Sequence, residues 1–549
     1  MLLALVLVTA ACLVAAWHEV GMGIVPLVTG IGNIFGFLAK AVPPQFTGFA
    51  GFHHTASLAL QTVAIAVVGT AIAVVLSIPV GFCAARNTTP HPAARWAARA
   101  VITMCRSIPD LIFAIIFVEA LGLGGLPGAL ALGVHSVGML GKLFAETIEQ
   151  VGPQPREAVA ATGAGRIQNL TSTVVPQVLP SFASNTIYRL DINLRSSVIL
   201  GYVGAGGIGL ALNAAMGELL FRQATAIVIV IFALIVVMEV ASAAIRSSLV
   251  GTDAQVGRAS RPSLIGDQLA AKMRLGRRTP TASHPQEISF NTHSLRPPWT
   301  RDRARRYGFL VGAVVVVVLS MWDAKISPLK LITSTVKLYG TFSKYFPPDF
   351  SKGHIVTATL QSASVALVAT VLGAAIAIPV GLAAARNISD RWLYRAARVF
   401  LLIARAVPEL VLAIVFVVAV GLGLEAGTFA LIVGTIAFLA KLVAESVEET
   451  PAAPREAVLS TGATRWQETA TSVVTPSVPS LVGQSLYMLD VNFRSSTILG
   501  MVGAGGIGYL LQQSIQVLDY RATGAIFVST FVVVLLLEIL TNAIRRQLL

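Results

Sequence analysis

The chain has 549 residues, of which 55% are hydrophobic and only 12% are charged. Soluble domains carry about 25% charged residues, so this composition excludes an ordinary soluble protein and indicates a chain that crosses a membrane several times. The formal net charge of +14 does not indicate nucleic-acid binding. The positive residues cluster in loops between apolar runs, as they do on the cytoplasmic side of membrane proteins.

Apolar runs recur along the whole chain. A helix needs roughly 20 apolar residues to cross the ~30 Å hydrocarbon core of a bilayer, and runs of about that length indicate six transmembrane helices in each half. The sequence therefore predicts an all-α polytopic membrane protein. The predicted spans are 2–17, 56–84, 99–121, 125–145, 174–200 and 222–245, followed by 308–322, 355–385, 396–422, 427–444, 473–499 and 522–544. The stretch 24–38 is apolar but contains three glycines and a proline, so we expect it at the outer membrane interface.

One long stretch of the sequence occurs twice. Residues 155–209 begin P-R-E-A-V and end D-I-N-L-R-S-S-V-I-L-G-Y-V-G-A-G-G-I-G, and residues 454–508 repeat this pattern at an offset of 299. Composition alone does not produce such a match, so the chain is predicted to be a tandem duplication. We place the first repeat at 1–250, a linker at 251–306 and the second repeat at 307–549.

The placement of charge predicts the orientation of both repeats. The loop after the second span is rich in arginine in each half, which places it in the cytoplasm and makes the duplication parallel. Six spans per repeat then put both chain ends and the linker in the cytoplasm. The five lysines between residues 325 and 352 disagree with this assignment, but the two arginine loops and the linker outweigh them. The linker holds 11 Arg or Lys against four acids and is expected to be a flexible connector, either solvated or in contact with anionic lipid.

A polar segment precedes the last two spans of each repeat. Pro155 suits the first turn of a helix, where its missing N–H costs nothing, and Glu157 then lies near the positive N-terminal end. Gly163 allows a bend two turns later. The second repeat has the same residues at the same spacing. The candidate contact residues are Arg156, Glu157, Ala158, Gly163, Arg455, Glu456, Ala457 and Gly462.

The fifth predicted span of each repeat contains ionisable residues. Asp191 and Arg195 are four residues apart and can pair on one helical face, as can Asp490 and Arg494. Charges inside a bilayer cost several kcal/mol, which leaves two interpretations. The pairs either hold the bundle together, or the arginines line the route of an anion, since a guanidinium binds oxyanions through parallel hydrogen bonds. The candidate pathway residues are Asn193, Arg195, Ser196, Ser197, Asn492, Arg494, Ser495 and Ser496.

A glycine cluster follows this span in both repeats. It matches G-x-G-x-x-G, but a dinucleotide site requires a preceding strand and a βαβ unit, whereas a membrane helix precedes it here. The glycines are therefore expected to break the helix or to allow close helix packing. They are Gly204, Gly206, Gly207 and Gly209, and Gly503, Gly505, Gly506 and Gly508.

Four further ionisable residues lie in or near the predicted spans. Glu239 and Glu538 lie near the inner ends of the last spans, where snorkelling to the interface explains them. Glu119 and His135 have no counterpart in the second repeat and are expected to pack or to hydrogen-bond locally. No H-E-x-x-H motif, Ser-His-Asp set or paired acids recur between the repeats, so neither a metal site nor an enzyme active site is predicted.

The E-A-x-x-x-x-G spacing at Glu157 and Glu456 resembles the coupling motif of permease subunits in binding-protein-dependent ABC importers. The run L-D-x-N-x-R-S-S-x-x-L-G-x-V-G-A-G-G-I-G resembles the phosphonate branch of that family more closely than the methionine branch. The resemblance implies a type I ABC importer permease architecture and transport of phosphonate or a related oxyanion such as phosphate. It also implies that the two repeats form an intramolecular pseudo-dimer, whereas the family permease is usually a separate subunit used as a pair.

The resemblance further implies the partners of the chain. The sequence contains no G-x-x-x-x-G-K-[ST] phosphate loop, so ATP and Mg²⁺ are expected on two copies of a separate ATP-binding subunit. A substrate-binding protein is expected on the outer side of the cytoplasmic membrane. The rival hypothesis is an ion-coupled secondary transporter built from parallel repeats, which has no need of the Glu-Ala…Gly segment. A membrane enzyme is a further, more distant alternative.

Overall fold

The computed structural model describes residues 2–249, 301–327, 335–351 and 354–548, and all regular structure within these ranges is helical. The predicted linker therefore lies outside the described residues up to residue 300. Each half contributes eleven described α-helices. Each helix of the first repeat therefore has a counterpart in the second repeat whose number is higher by eleven, so that α3 corresponds to α14. The first repeat has α1 (Leu2–Val20), α2 (Ile24–Ala41), α3 (Phe52–Ala84), α4 (Pro92–Ser107), α5 (Asp110–Leu121), α6 (Gly125–Glu149), α7 (Gln154–Ala161), α8 (Arg166–Asn169), α9 (Val175–Tyr202), α10 (Ile208–Gly217) and α11 (Phe221–Leu249). The second has α12 (Arg301–Asp323), α13 (Thr335–Lys344), α14 (Ile355–Ala383), α15 (Arg391–Ala406), α16 (Glu409–Val420), α17 (Leu424–Glu448), α18 (Ala452–Ser460), α19 (Arg465–Glu468), α20 (Thr475–Leu499), α21 (Gly506–Gln516) and α22 (Tyr520–Leu548).

The helices have the lengths and compositions of membrane spans. Six of the described helices are long and apolar enough to cross a bilayer, or up to nine spans if each bent helix pair counts as one. The six are α3, α6 and α11 with their counterparts α14, α17 and α22. The predicted all-α polytopic architecture with a tandem duplication is confirmed.

The third predicted span of each repeat is not a single helix. In place of one span at 99–121, α4 and α5 meet at an angle of 87°, and α15 and α16 meet at 85° in place of the span at 396–422. The cause is Pro109 and its counterpart Pro408, because proline pushes the residue before it out of the helical region. Ile108 accordingly has φ −92° and ψ 120°.

The first two helices of each repeat pack against the other repeat. Helix α1 lies on α14 and α12 lies on α3, while α2 packs against α16 and α13 against α5. The stretch 24–38 thus forms most of a continuous helix, in which Asn33 Nδ2 donates to the carbonyl oxygen of Ala419 over 3.1 Å. The repeat boundaries drawn from the sequence therefore do not separate two independent bundles.

The two repeats also share a hydrophobic core. One buried cluster combines Leu111 and Leu132 of the first repeat with Ile355, Leu511 and Ile526 of the second. Burial of apolar side chains contributes roughly 1.5–3 kcal/mol for each large residue, so this cluster stabilises the pair of repeats as one unit.

Candidate functional site

The polar segments form short helices, which are α7 and α8 in the first repeat and α18 and α19 in the second. We call residues 153–169 and 452–468 the polar connectors. Pro155 lies in the first turn of α7 as predicted, and Glu157 in the same turn is exposed, as is Glu456 in the second connector. Gly163 has φ +79° and Gly462 has φ +82°, a backbone conformation that favours glycine and turns the chain from α7 into α8 and from α18 into α19.

The first arginine of each connector, Arg156 or Arg455, is half-buried. Arg455 Nη2 donates to the carbonyl oxygen of Asn387 over 2.9 Å, and its Nε pairs with the buried carboxylate of Glu468. Arg156 is half-buried, and its carbonyl oxygen accepts a hydrogen bond from Asn169 Nδ2 over 2.8 Å. The bond of Arg455 to Asn387 anchors the second connector to its repeat, and the bond between Asn169 and Arg156 lies within the first connector. Ala158 and Ala457 are exposed beside the glutamates.

At one shared position, each connector exposes a large apolar side chain that the sequence reasoning missed. Ile167 is 77% exposed and its counterpart Trp466 is 85% exposed. An isolated apolar residue inside a polar segment, repeated at an offset of 299, was the signal that could have identified this position.

The predicted intrahelical pairs are present on α9 and α20. Arg195 Nη2 lies 3.3 Å from Asp191 Oδ2, and Arg494 Nη2 pairs with Asp490 Oδ2 in the same way. The four residues, together with Glu239, Arg405, Glu538 and Arg106, form what we call the polar centre.

The remaining members of the polar centre join the two repeats. Arg106 of the first repeat pairs with Glu538 of the second at 2.7 Å, and Arg405 of the second pairs with Glu239 of the first at 3.5 Å. Glu239 also lies 3.9 Å from Arg195. The interpretation of the two glutamates as snorkelling residues was wrong, because the arginine partners arrive from the other repeat and cannot be found by sequence spacing.

The amides predicted to line a pathway instead connect helices within one repeat. Asn193 Nδ2 donates to Thr70 Oγ1 over 2.9 Å, and Asn492 Nδ2 donates to Thr370 Oγ1 over 2.8 Å. Both asparagines are at most 1% exposed. Both asparagines therefore connect packed helices through buried hydrogen bonds.

The serines next to the arginines differ in exposure. Ser197, Ser495 and Ser496 are buried, and the hydroxyls of Ser197 and Ser496 donate to backbone carbonyl oxygens of their own helices. Ser196 is half-buried beside Arg195. Of the predicted pathway residues, the arginines and Ser196 therefore retain accessible surface.

The glycine clusters break the helices as predicted. Helix α9 ends at Tyr202, and Gly204, Gly206 and Gly207 all have positive φ, as do their counterparts in the second repeat. The break also brings two loops together, because Gly124 N–H donates to the carbonyl oxygen of Gly204 over 3.2 Å. The same bond joins Gly423 to Gly503 over 3.0 Å.

A cavity of about 320 Å³ lies between the two repeats beside this break. Its lining includes Leu123, Tyr345 and Tyr520, together with Glu119. Tyr520 donates to Glu119 Oε1 over 2.6 Å, and Lys344 lies 3.9 Å from the same oxygen. The expectation that Glu119 bonds locally was wrong, since both partners belong to the second repeat. His135 does bond locally, with Nδ1 3.1 Å from the carbonyl oxygen of Ile108.

Comparisons with known proteins place the chain in a family. The model of the family described as "Binding-protein-dependent transport system inner membrane component" matches twice, at residues 77–251 and 377–548. The chain is 45% identical to the "Phosphate-import permease protein PhnE" of Mycolicibacterium smegmatis over 98% of its own length and 93% of that protein. It is 44% identical to the "Phosphite transport system permease protein PtxC" of Stutzerimonas stutzeri over 43% of this chain and 84% of that one.

Among solved structures, the chain is similar to one titled "Inward facing conformations of the MetNI methionine ABC transporter", with 27% identity, a TM-score of 0.33 and coverage of 36% of this chain and 96% of that one. The two family matches correspond to the two repeats seen in the fold. The chain therefore belongs to the family of inner membrane permease components of binding-protein-dependent transport systems, and it carries two copies of that unit in one multi-pass membrane protein.

Proposed function

We propose that the chain is the permease subunit of an ATP-driven importer for phosphonate or a related oxyanion such as phosphate. The observation that carries this proposal is the 45% identity, over 98% of the chain, to a protein named as a phosphate-import permease. A second relative is named for phosphite. Both names specify phosphorus oxyanions, and the two repeats supply the paired permease units that such a pathway needs.

The polar centre provides groups that suit an oxyanion. Arg195 and Arg494 retain 23% and 20% of their side-chain exposure, although each already pairs with an aspartate. Within the polar centre, the Nε groups of Arg195 and Arg405 are buried and have no hydrogen-bond partner among the described residues. A guanidinium with an unused N–H can donate to a passing oxyanion without first losing its carboxylate partner. The pathway in this proposal runs between the repeats past these arginines and Ser196, and opens and closes at the two glycine clusters.

The polar connectors are proposed to dock two copies of an ATP-binding subunit. Glu157 and Glu456 would make the polar part of each contact, Ala158 and Ala457 would allow close approach, and Ile167 and Trp466 would supply the apolar part. The chain is then a transport subunit rather than an enzyme, and ATP and Mg²⁺ bind to the partner. Arg156 and Arg455 would act by holding each connector against its own repeat.

A substrate-binding protein would deliver the oxyanion to the cavity side of the glycine breaks. The arginine loops, the polar connectors and both chain ends would face the cytoplasm, with membrane lipid around the apolar helices. Alternating access would follow from the two repeats moving about their shared axis.

Purification from native membranes tests this function. The chain is expected to bring down an ATP-hydrolysing subunit, and the double variant Glu157→Lys with Glu456→Lys is expected to lose it. Glu449→Lys is the control for one such charge reversal, because Glu449 is exposed just after α17 and lies outside the second connector. A chain that purifies alone and moves solute on an ion gradient would instead support a secondary transporter.

A further inference from the structure

Arg189 is a buried cation that only the first repeat possesses. It lies on α9 with 4% exposure, and the residue 299 positions later on α20 is Met488, with 2% exposure. Arg189 Nε donates to Ser136 Oγ over 2.8 Å, and Nη1 lies 3.1 Å from the sulfur of Met139. Both partners are neutral. Within the described part of the chain, Arg189 forms no ion pair within 4.0 Å.

The surroundings place Arg189 beside the contact between the repeats. Its partner Ser136 follows His135, which contacts the carbonyl oxygen of Ile108 in the bend between α4 and α5. Arg494 of the second repeat reaches the same bend, where Nη1 donates to the carbonyl oxygen of Arg106 over 3.4 Å. Arg189 and Arg494 are close enough to interact electrostatically. Two guanidiniums from different repeats thus flank one short bend.

The second repeat shows that the fold does not require this arginine. Asn492 bonds to Thr370, and the hydroxyl of Thr435 donates to Asn492 Oδ1 over 3.2 Å. The first repeat has the equivalent bonds among Asn193, Thr70 and Ser136. The same network therefore forms with arginine in one repeat and methionine in the other.

The nearby carboxylate does not account for Arg189 either. Asp110 interacts electrostatically with Arg189, but its Oδ1 accepts the backbone N–H of Leu111 over 3.0 Å. Its counterpart in the second repeat is Glu409, which is accommodated with Met488 in place of the arginine. A carboxylate at this position is thus compatible with either side chain. A buried cation without an ion-pair partner is costly in a membrane protein, which argues for a functional role.

We propose that Arg189 is an anion-binding residue of the translocation pathway, supplied by the first repeat alone, which contacts the transported oxyanion together with Arg494 of the second repeat. The proposal rests on the proposed function. A guanidinium presents two parallel N–H donors to a tetrahedral oxyanion. The pathway is then functionally asymmetric, and the oxyanion binds closer to the first repeat than to the second.

The test measures uptake by the complete transporter in proteoliposomes, with inorganic phosphate and methylphosphonate as probes. Arg189→Met gives the first repeat the residue of the second. Uptake of both anions is expected to fall at least about tenfold, the effect of losing one charge-assisted hydrogen bond. ATP hydrolysis and the thermal unfolding temperature are expected to stay at their wild-type values, so that more ATP is consumed per anion. Arg189→Lys, which keeps the charge, is expected to restore part of the uptake.

Arg395→Met is the control, because Arg395 is an exposed arginine on α15 and its loss should leave uptake unchanged. Arg189→Met uptake within twofold of wild type would overturn the proposal. So would a joint loss of uptake, ATP hydrolysis and thermal stability in both Arg189 variants, which would identify a structural residue. If the wild-type complex moves neither anion, the proposed function fails, and this proposal fails with it.

Discussion

Arg106 Nη1 of the first repeat lies 2.7 Å from Glu538 Oε1 of the second. The same pair recurs with the repeats exchanged, because Arg405 Nη1 lies 3.5 Å from Glu239 Oε1. Each pair takes its arginine from one repeat and its glutamate from the other. This reciprocity relates the repeats by a two-fold axis and shows that they face each other as a pseudo-dimer within one chain.

Reversing one charge of the first pair is expected to destabilise the protein. Arg106→Glu or Glu538→Arg leaves two like charges together in a largely buried site, at a cost of about 3 kcal/mol in the free energy of unfolding. The double variant restores the pair in reverse order and is expected to recover most of the thermal stability and uptake. Thermal unfolding of the purified chain measures the effect.

The control for this prediction is Glu146→Lys, since Glu146 and Lys142 form a half-exposed pair within α6 at 3.8 Å. Its loss is expected to cost no more than about 1 kcal/mol. A double variant of Arg106 and Glu538 as unstable as the single variants would show that the pair does not couple the repeats.

Removing the exposed apolar side chains of the polar connectors is expected to weaken partner binding. Trp466→Ala and Ile167→Ala change side chains that are 85% and 77% exposed, so the fold should not be affected. A buried tryptophan at an interface contributes about 2 kcal/mol or more, which predicts roughly 30-fold weaker binding of the ATP-binding subunit for Trp466→Ala. Titration of the subunit onto the purified chain measures it.

Trp392→Ala provides the comparison, because Trp392 is 80% exposed on α15 and lies outside the connectors. It is expected to bind the subunit normally. Equal binding by Trp466→Ala and the wild-type chain would remove the tryptophan from the docking surface.

The buried asparagines are expected to be structural. Asn193→Ala removes two buried hydrogen bonds, one to the hydroxyl of Thr70 and one from the hydroxyl of Ser136, which costs about 1–3 kcal/mol. Asn492→Ala is expected to act in the same way in the second repeat. The unfolding temperature should fall while uptake per folded molecule is unchanged. Normal unfolding combined with lost uptake would instead restore the asparagines to the pathway.

The last glycine of each cluster is expected to tolerate no side chain. A Cβ on Gly209 would lie 2.0 Å from the carbonyl oxygen of Val198, and one on Gly508 equally close to that of Thr497. Either alanine variant forces the backbone apart, and overpacking of this kind costs about 1–3 kcal/mol or more. Gly217→Ala at the end of α10 meets no atom within 4 Å and should unfold at the wild-type temperature. Alanine at Gly209 with unchanged stability would contradict the close packing.

Features encoded by nearby residues were predictable from the sequence. Most helical spans, the Asp191–Arg195 pair and the glycine break depend on spacing within one segment, and the duplication is visible as a repeat at a constant offset of 299. The bend at Pro109 was not predicted by the single span at 99–121, because the sequence does not reveal how far the two helix axes turn. In the structure, the arginines of this segment lie on α4, and the apolar run lies on the separate helix α5.

Contacts between the repeats were not predictable in the same way. Glu239 lies 166 positions from Arg405, and Glu119 lies 401 positions from Tyr520. No periodicity connects such residues, so each glutamate received a local interpretation. The packing of α1 on α14 and of α12 on α3 was not predictable for the same reason. Arg189 was not predicted as a site residue, because its two hydrogen-bond partners lie on another helix, about 50 positions away in the sequence.

The most direct measurement of the central claim is oxyanion uptake by the chain in proteoliposomes with its ATP-binding subunit and substrate-binding protein. The account predicts that phosphate or phosphonate accumulates only when ATP is supplied, and that the double variant Glu157→Lys with Glu456→Lys abolishes accumulation while Glu449→Lys does not. Accumulation driven by an ion gradient without ATP, and unaffected by the double variant, would contradict it.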